Sequence, residues 1–365
     1  MPARSFHQRL RTALACLACA CVPAPAFTQV APNAPVQPTS PATAATSQQT
    51  GGLWLTTSRA GELARSQLAR LADGSYVAVR DSRGPGQGGD GTVFVRRVDA
   101  SGTVLGAETA VAAGSAPDVA AFPDGTFVVS WLAPPPPAFS LTVPVRGQLF
   151  DASGVAQGAA MDLGETGRTA TVTALSDGSF VVATFGNFSR VNGPAGFLRA
   201  YTRNGTETAF QAALHEDACG IDGPPAVSAL AAGGFAVAWP YACVGAPQVR
   251  MRVYGAAGGV AASSRMTVGQ SGDRVMVGLA ALSSGNLALE WTLGSTTVRQ
   301  LHTLVTTLRL TDSPAGATTI PLLPGRTPGQ VQALPDGGFV IPWSAANAGE
   351  ARVPVSRFSA AGEPL

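Results

Sequence analysis

The sequence predicts an all-β fold, a six-bladed β-propeller with four antiparallel strands per blade, and three observations carry that prediction. The chain holds 43 Gly and 28 Pro among 365 residues, almost one helix breaker in five, which suits many short strands joined by turns and not a helical bundle. One pattern recurs six times, an apolar stretch, a tight turn with Gly, an aromatic residue and an apolar run: LADGSYVAVR, FPDGTFVVSW, LSDGSFVVAT, LAAGGFAVAW, LSSGNLALEW and LPDGGFVIPW. Its anchors are Gly74, Gly125, Gly178, Gly233, Gly285 and Gly337, spaced by 51, 53, 55, 52 and 52 residues. A second turn follows each anchor by 25 to 31 residues with no helical periodicity between. Each repeat therefore holds four strands, the content of a propeller blade and more than a solenoid coil carries.

Along the chain, Arg4, Arg9 and Arg11 precede an apolar run from Thr12 to Val22, and Ala24-Pro25-Ala26 supplies a small-x-small cleavage pattern. Residues 1–26 read as an export signal. A rival reading makes Cys19 or Cys21 the lipidated first residue of a bacterial lipoprotein. No stretch reaches the ~20 apolar residues of a membrane-spanning helix, so no transmembrane segment is expected. Residues 27–52 carry no charge and are rich in Pro, Ala, Thr, Ser and Gln, the composition of a disordered linker. Residues 53–365 form the expected propeller. Leu53 to Thr57, LWLTT, is a spare strand, while the last repeat ends at Pro364-Leu365 directly after its second turn and lacks a fourth strand. A ring that borrows the N-terminal strand for its last blade removes both open edges.

Within each repeat, Asp-Gly reads as a two-residue hairpin turn with positive φ at both central residues. Six residues after the anchor stand Trp131, Trp239, Trp291 and Trp343, with Arg80 and Thr184 as departures. With three cysteines in the leader, Cys219 and Cys243 remain, and export to an oxidising compartment makes one disulfide between them the simplest outcome, against two unrelated buried thiols.

The phrases LPDGGFVIPW and FDASG resemble the repeats of secreted bacterial β-propeller proteins built on L-A-D-G-G-F-V-V-x-W and R-F-D-A-S-G. The resemblance covers residues 53–365 and implies a fold and a cell-surface or extracellular setting; with the export signal, the expected location is periplasmic, outer-membrane-tethered or extracellular. It implies no activity, since propellers host many functions. The first-turn Asp is absent at Ala232 and Ser284, and Gly88-Gly89-Asp90-Gly91 lacks the spacing of the calcium-binding repeats that some of these proteins carry.

Composition excludes several chemistries. All 24 basic residues are Arg, so Schiff-base Lys, Lys bases and phosphate-loop Lys are ruled out. Only His7, His215 and His302 occur, the first in the leader, so a three-His metal site cannot form. Without residues 1–26, three Arg are lost from 24, leaving 21 against 22 acids and a net charge of −1. Nucleic acid is therefore not an expected partner.

The long connections, at 81–92, 133–142, 185–196, 215–225 and 344–350, gather on the face opposite the tight turns and form the expected binding surface. Phe139, Phe188, Arg190 and Tyr241 are its candidate contacts for a protein or a glycan, with Arg70 a candidate anion contact at the central channel. The weaker catalytic candidates are Glu290, whose column otherwise holds small or apolar residues, and the polar cluster His215, Asp217 and Asp222. Each has a plain structural alternative: an ion pair of Glu290 with Arg299, and a solvated loop pinned by the disulfide. The reading is a monomeric, exported binding or scaffold module with no metal or cofactor. The alternative is a glycan- or lactone-cleaving hydrolase using carboxylates and bound calcium.

Overall fold

The computed structural model describes residues 62–83, 91–135, 141–187, 194–214, 220–221, 223–242, 248–267, 276–293, 302–308, 318–320, 330–342 and 355–365, all within the compact unit Thr50–Leu365. These residues contain strands and turns and no helix.

The first blade is β1 (Glu62–Arg70), β2 (Tyr76–Arg83), β3 (Thr92–Val98) and β4 (Val104–Ala113). The second is β5 (Ser115–Ala121), β6 (Phe127–Leu132), β7 (Val143–Phe150) and β8 (Ala156–Thr166). The third is β9 (Thr169–Ala174), β10 (Phe180–Asn187), β11 (Pro194–Tyr201) and β12 (Glu207–Ala213). In the fourth, the innermost strand is split into β13 (Gly220–Ile221) and β14 (Ala226–Ala229), both paired with β15 (Phe235–Ala242), which is followed by β16 (Gln248–Tyr254) and β17 (Val260–Thr267). The fifth is β18 (Met276–Ala281), β19 (Leu287–Leu293), β20 (His302–Leu308) and β21 (Thr318–Ile320). The sixth sheet is β22 (Gln332–Ala333), β23 (Phe339–Pro342) and β24 (Val355–Phe358). Every pairing is antiparallel and, apart from β13 with β15, between sequence neighbours, so each sheet is a meander.

The expectation of six four-stranded blades is corrected to five. The last repeat makes a three-stranded sheet among the described residues. Beyond its second turn Pro364 bridges Phe358 and Leu365 N–H donates to the Arg357 carbonyl, the beginning of a fourth strand. The proposed closing strand at 53–57 lies outside the described residues.

The arrangement of the sheets follows from what each strand must bury. Second strands are apolar on both faces because a blade packs against its predecessor on one face and its successor on the other. In β6, FVVSWL, all six residues are buried. Outer strands alternate, as in β12, where every second residue is exposed. The innermost strands lie against one another in series, β1 on β5, β5 on β9, β9 on β14, β14 on β18 and β18 on β22. Five apolar cores fill the spaces between consecutive blades. One joins Val77, Val79 and Val95 to Phe127 and Trp131, and the next joins Val128 and Leu163 to Phe180 and Tyr201. The rest repeat the scheme to the last pair, where Ala288 meets Val331, Phe339 and Ile341.

The hairpin turns differ from the expected two-residue type. Gly74 N–H donates to the Leu71 carbonyl and Leu71 N–H to the Ser75 carbonyl, a type I turn closed by a bulged Gly. Only the Gly takes positive φ, 84° at Gly74 and 81° to 90° at the other five anchors. The Asp serves as an acceptor instead: Asp73 Oδ1 receives both the N–H and the hydroxyl of Ser75. Those bonds, the hydroxyl first, hold its carboxyl below the usual range. Asp124 and Asp177 repeat the arrangement with Thr126 and Ser179.

Candidate functional site

The edge of each innermost strand carries N–H and C=O groups that its own sheet leaves unpaired, and buried groups of this kind need partners. Side chains supply them across every described seam. Asp81 Oδ2, 2.7 Å from Ala116 N, joins the first two blades and holds Ala116 at φ 50°, in the left-handed region that a side chain disfavours. Asp118 Oδ2 accepts from Val172 N at 2.8 Å across the next seam. Thr173 Oγ1 donates to the Val227 carbonyl at 3.3 Å, and Ser228 Oγ accepts from Ala281 N at 2.9 Å. At the fifth seam the Glu290 carboxyl accepts from Val331 N–H.

Glu290 and Asp118 do the same work from different strands. Val172 and Val331 both stand two residues before the small residue that ends the strand, Ala174 and Ala333. Asp118 reaches the first from β5, opposite Ser130. In the fifth blade the corresponding β18 position is Gly278, opposite Glu290. Glycine leaves the space that the longer acid fills from β19: a Cβ at 278 would lie 3.0 Å from Glu290 Oε2 and 3.3 Å from Val331 N. Glu290 is 3% exposed, and among the described residues its Oε2 has no hydrogen-bond partner. Burial pushes its pKa up to about 8, against the opposing Val331 bond. Burial likewise pushes half-buried Asp118 up to about 6, against its two backbone bonds.

The other sequence candidates fall in different places. Arg299, the expected ion-pair partner of Glu290, lies outside the described residues. So do Phe139, Phe188, Arg190, His215, Asp217, Asp222, Cys219 and Cys243. Tyr241 requires a correction. It sits on β15, not in a loop, is 4% exposed, and is covered by the buried Arg250 guanidinium 3.3 Å from its ring centre. Its alternation with Trp239 turns it into the core against the third blade. Arg70 is exposed at the end of β1, and its guanidinium lies over its own hairpin turn, 3.5 Å from where a Cβ on Gly74 would stand. His302 begins β20, opposite Leu293. Among the described residues, no three His, Cys, Asp or Glu gather as a metal site, and no helix is long and apolar enough to cross a membrane.

Asp118 escaped the sequence reading. The signal was present in its column, which runs Gln67, Asp118, Thr171, Ala226, Gly278 and Gln330, but it acquires meaning only once β5 is known to face β9.

No family model and no curated protein matches the chain. Among solved structures, a protein of unknown function from Dyadobacter fermentans aligns with a TM-score of 0.57 and 12% identity, over 84% of this chain and 97% of that one. An α-L-arabinofuranosidase from Fusarium graminearum, in complex with an iminosugar inhibitor, aligns with a TM-score of 0.54 and 11% identity, over 81% and 92%. The β-propeller domain of the Trilobed protease from Pyrococcus furiosus reaches 0.47 at 9% identity, over 85% and 84%. Likeness at such identities speaks to the fold alone.

Proposed function

We propose that this chain is an exported β-propeller that binds or scaffolds a protein or a glycan through its long-loop face. In this reading residues 1–26 direct export, with or without lipidation, and 27–52 form a tether. Residues 53–57 complete the last sheet as its fourth strand, giving a six-bladed ring. One observation supports binding over catalysis: the buried acid that stood out in the sequence is spent on the architecture. Glu290 accepts the Val331 N–H as Asp118 accepts that of Val172, so its position has a structural explanation at the equivalent place in another blade. Functional contacts then fall to the loops, where aromatic and Arg side chains carry most binding energy.

A carboxylate-dependent hydrolase is the second reading. It is favoured by the same residue's partnerless Oε2 and by a pKa of about 8, which keeps a carboxylic acid protonated at neutral pH as a general acid requires. A glycan array read alongside a panel of glycoside and lactone substrates separates the two. Binding to a defined glycan or protein that weakens about tenfold or more in Phe139→Ala, Phe188→Ala or Arg190→Ala, and persists in Glu290→Gln, is the expected result. Hydrolysis that disappears in a folded Glu290→Gln protein overturns it.

A further inference from the structure

Each blade meets its neighbours through fixed places in the repeat. The residues six before and two after the anchor glycine face the preceding blade: Val119 and Phe127 share a core with the first blade, and Val331 and Phe339 share one with the fifth. The residues three and five after the anchor face the following blade, as Val77 and Val79 face the second. In the first five repeats both of the latter places are buried, from Val77 to Ala288 and from Val79 to Glu290.

The joint between the sixth sheet and the first departs from this scheme on both of its walls. Leu68, six before its anchor, is 52% exposed, whereas the other five repeats set a Val or Leu against a core at that place. Tyr76, two after the anchor, is half-buried where the others bury Phe or Leu. On the sixth sheet Val340 and Pro342 are half-buried in the two columns that the first five repeats close. Val355, paired with Pro342, is exposed, although Val95, paired with Val79, is buried. Gln332 and Ala333, the whole of β22, are exposed. The series of packed inner strands ends at β22, and the described residues form no sixth core.

The Trp column agrees. Trp131, Trp239 and Trp291 are buried against the preceding blade, Trp131 with Val93 and Val95, and Trp291 with Val249 and Met251. The first blade has Arg80 there, and its guanidinium is turned on its own sheet. It makes a two-pronged ion pair with Glu108 at 2.5 and 2.6 Å and lies 4.4 Å from the centre of the Phe94 ring. A charge satisfied within one sheet holds no neighbour, whereas an indole is driven by water onto one. Loss of the Trp alone does not open a seam, because the third blade has Thr184 and still buries Val172 and Phe180. Local opening is easiest where the fewest apolar contacts are buried.

We propose that the ring opens at this seam: the sixth and first sheets part and close on one another while the five apolar seams hold, giving a lateral route to the inner strands. The opening belongs to the strands and does not depend on the loop-face reading or on the strand at 53–57. Native-state thiol labelling of the purified protein tests it, with the labelling of the parent subtracted. Ala78 is buried on the wall of the first sheet that faces the sixth, and Ala236 is buried at the seam between the fourth and fifth blades. Ala78→Cys and Val340→Cys should react with a maleimide about tenfold or more faster than Ala236→Cys, at urea concentrations well below unfolding. Equal rates overturn the proposal. A second measurement needs none of these variants to fold. Leu68→Ala should leave the melting temperature nearly unchanged, while Leu279→Ala, in the same column, should lower it by several degrees. Leu68→Ala melting as low as Leu279→Ala would show a seam packed like the others and overturn it equally.

Discussion

Glu290 and Asp118 have an energetic consequence that can be read with pH. Burial raises their pKa values in the folded chain, to about 8 from 4.5 and to about 6 from 3.8. A carboxyl raised on folding binds its proton more tightly in the folded state. Its contribution to stability is complete below the pKa of the unfolded chain and is lost as pH rises through the folded one. The two windows overlap only in part, roughly pH 4 to 6 for Asp118 and 4.5 to 8 for Glu290, so above about pH 6 the decline belongs to Glu290 alone. Urea unfolding at about pH 5, 6, 7 and 8 should show stability falling throughout, by at most about 1.4 kcal/mol per pH unit from each group. Glu290→Gln should abolish the fall above about pH 6 and leave part of the fall below it. The same slope above pH 6 in variant and parent would show that Glu290 does not titrate in this range.

At the scale of strands and turns, what was legible in the sequence is what depends on local period. The apolar runs of the second strands, the anchor glycines and the aromatic two places beyond them all follow from one blade burying both its faces. What was not legible depends on contacts between blades. Ala116 reads as an ordinary strand residue until Asp81 is seen to hold its N–H. Tyr241 reads as the start of a loop until β15 is seen to extend through Ala242. Cys219 and Cys243 lie outside the described residues, and the bridge between them is argued from the sequence: two cysteines in an exported chain pair most simply with each other. Thiol titration of the denatured, unreduced exported protein should therefore find neither cysteine free, and reduction should cost about 3 kcal/mol for a closed loop of this length. Two titratable thiols would refute the bridge.

At the scale of the whole ring, stability is shared among seams that are alike, so the joint between the last sheet and the first sets its integrity. The five described cores run in series from β1 to β24, and a side-chain hydrogen bond crosses each of their seams. The last sheet begins a fourth strand with Pro364 and Leu365. Val355, at the far end of β24, is 55% exposed. An uncovered strand edge is a template for pairing with other chains, and the proposal gives the covering role to Leu53 to Thr57, which lie outside the described residues. A chain beginning at Gly51 should therefore melt like the full exported protein and stay monomeric, the outcome expected of the proposed tether at residues 27–50. A chain beginning at Ser58 should melt several degrees lower, because even ~1 kcal/mol moves the midpoint of a domain this size by about 2 °C or more. It should also form concentration-dependent aggregates through the exposed edge of β24. Differential scanning calorimetry with light scattering on the two truncated chains decides the matter: equal midpoints and equal monomer content would mean that the ring does not close through its N-terminal strand.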